Sequence, residues 1–364
     1  MSRRRVTLAD VARTAGVSST TASLVLSGRG SELRISTAVQ DRVRTASSEL
    51  GYRPNIVSIG LRKGTTRTLG LVSDTVATGQ MAGDMIKGAI EAARDLGFML
   101  FIGETEGDPA IESALIDAMQ DRQVDGIILT SMFTRTRAVP EALERVPTVL
   151  LNTLPAGPTR APAVVPDEVA AGRAAARLLI DAGHREIHLV GAGPGPHDVP
   201  PDTVAGVERL AGILEVLEAE GLTPASGHLC DDWAPPQGWA ATHELLRQHA
   251  RPRAIVCFND RLAFGTYQAL QEAGLRIPQD VSVVSFDNYP MADWLRPGVS
   301  SFAIPHEELG RRAVELLIAR ITARAAGTGD AEVPAGDADR AEPVTGDVHR
   351  LPLPLRARGS VAPA

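Results

Sequence analysis

The sequence predicts a small all-α module at the amino end, followed by a larger α/β domain with two lobes. Three observations support this prediction. Residues 7–50 hold three helical patterns, residues from 68 onward alternate strand and helix patterns in two series, and 364 residues exceed the usual span of one domain. We therefore expect at least two folded units.

Charge divides the chain at the same place. Residues 1–64 carry 11 Lys and Arg against 4 Asp and Glu, although the whole chain has a formal net charge of −7. The amino-terminal part is therefore basic and the remainder acidic. A basic surface attracts a polyanion such as nucleic acid, which the acidic remainder would repel. Charge alone leaves open the alternative that the basic part is a tail without a fold.

Composition argues against several other classes of protein. Cys230 and Cys257 are too few for a disulfide scaffold, and we expect both to be reduced core residues. Neither has a neighbourhood rich in Cys or His, so the expectation is no metal ion and no cofactor. No apolar run follows Met1 as in a signal peptide, and no window is apolar enough to cross a membrane. We expect a cytoplasmic protein.

The first two helices form a helix-turn-helix. Thr7 and Asp10 have the spacing of a capping box, and Gly16 ends the helix that they begin. After a short turn, Ser18 can cap a second helix that continues to about Leu26.

A third helix completes the module, which spans residues 1–52. It is expected from about Thr37 to Leu50, with Ser36 as its cap and Gly51 as its stop. Residues 53–67 then predict a linker that contains a helix of about two turns. So short a helix is marginal in water, and its order requires a partner surface.

The α/β domain is expected over residues 68–326. Its predicted strands fall into two series, and two series of this kind imply two parallel sheets with a cleft at their carboxyl ends. The predicted strands are Thr68 to Ser73, Phe98 to Gly103, Asp125 to Thr130 and Thr148 to Asn152, then Ile187 to Gly191, Ala254 to Phe258 and Val281 to Phe286.

The helices predicted between and after these strands are Ala82 to Leu96, Ala110 to Gln120, Asp167 to Ala182, Val204 to Glu220, Gly238 to Gln248, Arg261 to Ala273 and Glu307 to Ala325. Residues 327–347 lack an apolar period and are expected to form a flexible loop. Residues 348–364 are expected to return to the α/β domain through a strand at Leu351 to Arg358.

Motifs along nearly the whole chain carry a family resemblance. They include the run from Val6 to Ser18, the string Gly51-Tyr52-Arg53-Pro54-Asn55, and the body motifs Leu150-Leu151-Asn152, Val164-Val165-Pro166-Asp167, Phe258-Asn259-Asp260 and Asp280 to Asp287. With these motifs in this order, the sequence resembles the lac repressor (LacI/GalR) family of transcription regulators. The resemblance implies a helix-turn-helix that binds operator DNA and an effector domain that is similar to periplasmic binding proteins.

The resemblance also implies which residues contact DNA. The second helix enters the major groove in this family, so Ser19, Thr20 and Leu24 are expected to face bases. The residues expected on phosphates or elsewhere on the DNA are Thr7, Ser18, Thr21, Ser23 and Arg29. Many relatives have a polar or basic residue at the position of Leu24, and a core position is the alternative for this side chain.

The segment from Asn55 to Leu61 resembles the hinge helix of the family, which becomes ordered on operator DNA. Leu61 matches the leucine wedge that enters the minor groove, and Asn55 and Ser58 are expected on DNA beside it. Gly60 lies within this segment and lowers helix stability by about 1 kcal/mol relative to alanine. An ordinary interdomain linker is the alternative.

For the effector cleft, the resemblance implies seven polar or aromatic residues: Asp74, Asn152, Asp167, Arg209, Trp233, Asn259 and Asp287. Their chemistry suits a ring that carries hydroxyl groups. The polar side chains can hydrogen-bond to the hydroxyl groups, and Trp233 offers a flat apolar face to the ring. Asp167 has the alternative of a helix cap and Trp233 that of a packing residue. Asp260 is expected to cap the helix that follows it.

We therefore expect a DNA-binding regulator, most simply a repressor, that binds a near-palindromic operator as a dimer and responds to a sugar or sugar derivative. A purine or other non-sugar metabolite is the main alternative effector. A dimer is favoured because no C-terminal leucine heptads are visible.

Two other protein classes share parts of the pattern. A solute-binding protein has two lobes but no DNA module. A nucleotide-dependent enzyme would need a clean phosphate motif, and prolines interrupt the loop Gly191 to Pro196. That loop is expected at the cleft edge, and His184 is expected to be structural. We expect no enzymatic activity.

Overall fold

The computed structural model describes residues 6–52, 65–75, 83–249, 251–327 and 346–364. The chain divides into two compact units, Met1–Thr66 and Arg67–Ala364. Within the described ranges, no helix is both long and apolar enough to cross a membrane.

The described part of the first unit contains three helices, Leu8–Ala15, Ser19–Leu26 and Thr37–Glu49. The capping box of the first helix is confirmed, because the backbone N–H of Asp10 donates to Thr7 Oγ1 and the backbone N–H of Thr7 donates to Asp10 Oδ2. Ser18 caps the second helix by accepting from the N–H of Thr21 at 3.0 Å. Gly16 ends the first helix with φ of 67°, a conformation that glycine adopts without steric cost.

Small apolar side chains from all three helices form the core of this unit. The buried members are Val11, Ala12, Ala15, Ala22, Val25, Val43 and Ala46. So small a core leaves most of the second helix's polar side chains on the surface. This core therefore fixes the helix-turn-helix while leaving one helix face available for contact.

The second unit contains two six-stranded sheets, each at the centre of one lobe. In the amino-terminal lobe the strand order is β11-β5-β4-β3-β1-β2, and in the carboxyl-terminal lobe it is β12-β10-β9-β8-β6-β7. All pairs are parallel except β10 with β12. The strands are β1 Thr68–Ser73, β2 Met99–Glu104, β3 Gly126–Arg137, β4 Thr148–Pro155, β5 Ala163–Pro166, β6 Ile187–Gly191, β7 Ser226–Leu229, β8 Ala254–Cys257, β9 Ser282–Asp287, β10 Ser300–Ala303, β11 Val348–Leu351 and β12 Leu355–Arg356.

Helices cover both faces of these parallel sheets, as their buried apolar strands require. They are Gly83–Asp95, Pro109–Asp121, Glu168–Asp181, Val204–Ala219, Pro235–Gln248, Asp260–Glu272, Met291–Trp294 and His306–Ala325, with a short 3₁₀ turn at Glu141–Leu143.

The chain passes between the lobes three times. It leaves the amino-terminal sheet after β5, returns after β10 to form helix His306–Ala325, and leaves again between β11 and β12. The single strand predicted at Leu351 to Arg358 is therefore wrong, because two short strands there join different sheets. β3 also continues to Arg137, beyond the predicted end at Thr130, with an irregularity in its pairing to β4 between Thr130 and Arg135.

Glycines let three pairs of helices approach backbone to backbone. A Cβ added at Gly88 would lie 1.9 Å from the carbonyl oxygen of Glu307, and one at Gly310 would lie 2.0 Å from that of Met85. The same reciprocal arrangement joins Gly172 to helix Val204–Ala219, Gly212 to helix Glu168–Asp181, and Gly238 and Gly265 to one another's helices. These close approaches place helices against the sheets that line the cleft.

Gly88→Ala is therefore expected to lower the free energy of unfolding by about 1–3 kcal/mol, because its methyl group has no space against helix His306–Ala325. Gly83→Ala is the matched control in the same helix, since a Cβ there meets nothing within 4 Å. Urea unfolding measures both changes. Equal stability of the two variants would contradict the close packing.

Candidate functional site

A cavity of about 800 Å³ lies between the two lobes of the second unit. Six of the seven residues predicted for an effector cleft line it, namely Asp74, Asn152, Arg209, Trp233, Asn259 and Asp287. Asp74 directly follows β1, Asn152 lies within β4, Asn259 follows β8 and Asp287 ends β9, while Arg209 and Trp233 lie on a neighbouring helix and loop. The position agrees with the rule that parallel sheets bind ligands at the carboxyl ends of their strands.

Arg209 is the most connected charged side chain of the cleft, although only 2% of its surface is exposed. Its Nε and Nη2 donate to the two carboxylate oxygens of Glu168 at 2.6 and 3.0 Å. Nη2 also donates to Asp287 Oδ1 at 3.1 Å, and Nη1 donates to the carbonyl oxygen of Phe258 at 2.5 Å. Among the described residues, acceptors are found for four of the five guanidinium N–H groups.

Aromatic rings enclose this guanidinium group. The ring of Phe286 lies 4.7 Å from its central carbon and that of Trp233 lies 5.8 Å away. Burial by itself lowers the pKa of Arg209, but the carboxylates of Glu168 and Asp287 raise it to a net value above the ordinary one. The guanidinium is therefore permanently charged and held in one orientation.

Asp74 and Asn152 support a cleft-lining part of β3. Asp74 Oδ1 accepts from the backbone N–H of Met132 at 2.8 Å, and Asn152 Nδ2 donates to the carbonyl oxygens of Ser131 and Met132. Asn152 Oδ1 accepts from Thr134 Oγ1. These bonds satisfy the backbone where β3 leaves regular pairing, and they set the segment from Met132 onward at the cleft wall.

Three polar residues at the strand ends have left-handed backbone conformations. Asn152 has φ of 52°, Asp287 has φ of 94° and Asn288 has φ of 54°. Such conformations cost about 1–3 kcal/mol each for residues with a Cβ, and they gather at ligand sites. The surrounding hydrogen bonds hold Asn152 and Asp287 in these conformations.

Trp233 and Asn259 are linked on the cleft wall that the carboxyl-terminal lobe forms. Trp233 Nε1 donates to the carbonyl oxygen of Gly191 at 3.0 Å, and Asn259 Nδ2 donates to the carbonyl oxygen of Trp233 at 3.1 Å. The Trp233 ring meets Phe258 edge to face at 5.7 Å. The indole is half-buried and part of the cleft lining, so its partners fix a flat face there.

Asn259, and not Asp260, caps helix Asp260–Glu272. Asn259 Oδ1 accepts from the N–H of Leu262 at 2.8 Å, so the expectation that Asp260 caps this helix is wrong. Asp260 is instead buried at the first position of this helix, where its Oδ1 accepts from Ser301 Oγ at 2.8 Å and from Ser285 Oγ. The side chain ties the helix to β9 and β10.

Asp167 lies beside the cleft without lining it. Its side chain accepts from the N–H of Ala170 and caps helix Glu168–Asp181, which is the alternative role that the sequence left open. The next residue, Glu168, lines the cleft instead and holds Arg209. The sequence signal available for Glu168 was its position, because it begins the helix that directly follows the crossover after β5.

Several further lining residues were not predicted. Phe133 is 62% exposed and offers a second aromatic face, while Arg137 is paired with Glu112 at 2.6 Å. His306 begins the helix that follows the second crossover, and burial lowers the pKa of its ring. Its Nδ1 is shielded from solvent, as is Asp74 Oδ2, and neither atom makes a hydrogen bond within the part of the chain that the structure describes. Asp74 Oδ2 lies 3.3 Å from Arg135 Nη2 without forming a hydrogen bond.

The glycine-containing loop after β6 is closed by its own acidic residue. Asp198 accepts from the N–H of Gly195 through its side chain at 2.9 Å and from the N–H of Gly193 through its carbonyl oxygen at 2.7 Å. Both backbone donors are therefore satisfied within the loop. Such a loop is poorly suited to phosphate binding, which uses free N–H groups.

The helix-turn-helix of the first unit presents a polar face. Thr7, Ser18, Ser19, Thr20 and Arg29 are exposed, and Thr21, Ser23 and Leu24 are half-buried. Leu24 is not one of the residues that form the core of this unit. Asn55, Ser58 and Leu61, the residues predicted for the hinge, lie outside the described residues.

His184 has the structural role that its sequence position suggested. It is buried, and its Nε2 lies 3.0 Å from both Ser282 Oγ and the carbonyl oxygen of Ala362. The ring therefore joins the carboxyl terminus to the lobe. Cys230 and Cys257 are both buried free thiols, as expected.

Asp260 gives stability a defined pH dependence. Burial raises the pKa of its carboxyl group to about 7, and the negative charge of Asp287 acts in the same direction. Because the folded chain keeps a proton that the unfolded chain releases near pH 4, the free energy of unfolding should fall from about pH 4 to pH 7. The slope is at most about 1.4 kcal/mol per pH unit.

Asp260→Asn is expected to flatten this slope, measured by urea unfolding at several pH values from 5 to 7. Asp280→Asn is the matched control, because the Arg276 side chain lowers the pKa of Asp280 to about 2, below the tested range. A slope in Asp260→Asn equal to that of the unchanged protein would show that Asp260 does not carry the proton.

Comparison with known proteins adds independent findings. Residues 7–55 match "Bacterial regulatory proteins, lacI family", and residues 161–340 match "Periplasmic binding protein-like domain". The ribose operon repressor of Escherichia coli (strain K12) is 30% identical over 319 residues, which cover 87% of this chain and 93% of that protein. The transcriptional repressor PurR of Klebsiella pneumoniae (strain 342) is 30% identical over 318 residues, covering 86% and 90%.

Solved structures agree on the fold. The lac repressor dimer bound to operator and the anti-inducer ONPF has a TM-score of 0.76 at 24% identity, covering 99% of this chain and 100% of that chain. The complex of the transcriptional regulator CelR with cellobiose has a TM-score of 0.61 at 28% identity, covering 98% and 100%. With its helix-turn-helix, two-lobed domain and relatives of nearly equal length, the chain belongs to the lac repressor family of bacterial regulatory proteins.

Proposed function

We propose that this regulator represses transcription by binding a near-palindromic operator as a homodimer, and that a small polar ligand in the cleft controls this binding. It acts in the cytoplasm on DNA, and its activity is binding rather than catalysis. The DNA module argues against a solute-binding protein, which has no need of one.

The proposed DNA contacts lie on the second helix of the first unit. Exposed Ser19 and Thr20, with Leu24 beside them, are assigned to base edges in the major groove. Thr7, Ser18, Thr21, Ser23 and Arg29 are assigned to the backbone of the DNA, which sets register without reading sequence. The hinge role of Asn55, Ser58 and Leu61 rests on the family resemblance.

An exposed apolar strip in the amino-terminal lobe supports the dimer. It surrounds β2, the edge strand of its sheet, and consists of Ile90, Leu96, Met99, Phe101, Ile102 and Ile111, which are 38–58% exposed. Apolar patches on edge strands are costly to leave in water and mark association surfaces. We assign this strip to a second copy of the chain.

Shielded polar atoms without a hydrogen bond support the ligand proposal. Among the described residues, Asp74 Oδ2 and His306 Nδ1 are shielded from solvent and make no hydrogen bond, although Asp74 Oδ2 lies 3.3 Å from Arg135 Nη2. A buried polar atom without a hydrogen bond costs about 1–3 kcal/mol, so a ligand that supplies hydrogen bonds gains affinity from both. Together with the remaining N–H of Arg209, they offer a donor and acceptor set that suits hydroxyl groups.

The aromatic faces favour a ring-shaped ligand. Trp233 and Phe133 line opposite lobes of the cleft, and a sugar ring presents apolar C–H faces between its hydroxyl edges. Named relatives include a ribose operon repressor, a regulator bound to cellobiose and an Enterococcus faecium regulator with bound ribose. We therefore propose a sugar or sugar derivative, with purines as the ligand class to test against it.

Operator binding is expected to require two half-sites and two chains. Fluorescence anisotropy should show tight binding to a near-palindromic duplex and weak, steeply salt-dependent binding to a scrambled one. Met99→Asp should split the dimer and weaken operator binding at least tenfold, because it charges the apolar strip. Leu229→Asp, on the exposed edge strand β7 of the other lobe, is the control and should bind normally. Equal affinity for both duplexes would overturn the proposal.

Ligand control is expected to depend on Asp287. A library of sugars should include one that raises the melting temperature and changes operator affinity. Asp287→Ala should lower affinity for that sugar at least about tenfold, because the variant lacks the carboxylate that would accept from a sugar hydroxyl and that accepts from Arg209 at 3.1 Å. Operator binding without sugar should stay nearly unchanged, and exposed Asp181→Ala is the matched control.

Two outcomes would contradict this account of the ligand site. Stabilisation by purines alone would exclude the carbohydrate assignment. A full response of Asp287→Ala to the true ligand would place the ligand elsewhere than the cleft.

A further inference from the structure

Three metal-ligating side chains converge at the end of the carboxyl-terminal lobe that faces away from the cleft. Glu186 immediately precedes β6, His188 is the second residue of that strand, and His249 directly follows helix Pro235–Gln248. The other end of β6, Gly191, lies at the cleft side, where it accepts from Trp233. Three residues of strand separate His188 from Gly191, which is about 10 Å.

The donor atoms have the spacing of ligands around one ion. His188 Nε2 lies 3.3 Å from Glu186 Oε1, His249 Nδ1 lies 3.6 Å from the same oxygen, and all three lie within 4.8 Å of one another. Zinc bonds of about 2.0–2.1 Å at tetrahedral angles place ligand atoms about 3.3–3.4 Å apart. Two of the distances already approach that value.

The buried member, His188, presents an unsatisfied nitrogen to this centre. The side chain is 0% exposed, and among the described residues its Nε2 makes no hydrogen bond, although Glu186 Oε1 lies 3.3 Å away. Its Nδ1 lies 2.9 Å from Ser226 Oγ on β7. When Nδ1 donates to this hydroxyl, the Nε2 lone pair points at the carboxylate, and two acceptors face each other unless a cation lies between them.

The chemistry of these groups suits a metal ion, because an imidazole nitrogen without a proton and a carboxylate oxygen are both metal ligands. His228, whose Nε2 lies 3.5 Å from Ser226 Oγ, is a further imidazole near the cluster.

We propose that Glu186, His188 and His249 form a binding site for a Zn²⁺ ion, with water in the fourth position. Two imidazoles and one carboxylate form a ligand set that zinc accepts. Glu186 is 53% exposed and His249 31% exposed at the side chain, so an ion reaches buried His188 from solvent. The site is separate from the effector cleft and does not depend on the proposed regulation.

Zinc at this site would join β6 to the segment that leads from helix Pro235–Gln248 into β8. The complete ligand set exists only in the folded arrangement, because His249 is remote in sequence from Glu186 and His188. Folding and binding are therefore linked, and zinc at a hundredfold excess over its Kd is expected to raise the Tm by about 5 °C.

Calorimetric titration of the untagged full-length protein with ZnCl₂ tests the site directly. The expected result is one ion per chain. His249→Gln should weaken binding at least tenfold and abolish the Tm rise. His188→Gln should have the same two effects. If this variant at a buried residue fails to fold, His249→Gln, at a partly exposed residue, still tests the site. His243→Gln is the matched control, because His243 pairs with Glu272 outside the cluster.

Substitution with Co²⁺ supplies a second readout. A tetrahedral site gives intense visible absorption, which should appear with the unchanged protein and His243→Gln and be lost with His249→Gln. If zinc shows no saturable binding at submillimolar concentration, the proposal is overturned. A proton would then be the cation that lies between His188 and Glu186. Unchanged affinity in His249→Gln would also overturn it. Neither result bears on operator or sugar binding.

Discussion

The buried charge of Arg209 is the interaction on which the effector domain depends. One guanidinium group holds Glu168 at the first crossover, the carbonyl oxygen after β8 and Asp287 at the end of β9. A charge buried this deeply is tolerated only when its donors are paired, because loss of one partner of such a pair costs about 3–5 kcal/mol. The network therefore fixes the cleft floor before any ligand arrives.

Beyond this floor, the two lobes are joined by crossovers of the chain and by side-chain contacts. Three short crossovers connect the lobes, and Ile304 at the second packs against the cores of both. Arg350 on β11 also donates to both carboxylate oxygens of Glu208 in the other lobe, at 2.7 and 2.8 Å. A ligand that prefers one lobe arrangement shifts the population by its difference in affinity for the two.

Local sequence signals predicted much of this fold. The capping box at Thr7 and Asp10 depends on four adjacent residues, and the strands of the parallel sheets are continuous apolar runs. The pairing of β11 and β12 with different sheets was not predictable, because both strands are short and their partners are remote in sequence. Asn259 and Asp260 are equally good caps by residue type, and burial of Asp260 against β9 and β10 decides between them.

The residues of the cleft also divide into those that the sequence indicated and those that only the folded structure brings together. Family resemblance indicated Arg209 and Asp287, but Glu168, which holds Arg209, has no local motif and is recognised only when the fold brings it within 2.6 Å. The expectation of no metal rested on the neighbourhoods of the two cysteines. Glu186 and His188 are two residues apart, but His249 is remote in sequence and meets them only in the folded lobe, where β8 pairs with β6. Side chains whose partners lie across the sheet leave no spacing pattern in the sequence.

Arg209 and Glu168 act as one buried unit, and a double-mutant cycle measures this coupling directly. Urea unfolding would compare the unchanged protein with Glu168→Gln, Arg209→Met and the double variant. Each single variant is expected to lose at least about 3 kcal/mol of unfolding free energy, and the double variant to lose less than the sum by more than about 1 kcal/mol. Small losses that simply add would contradict this coupling.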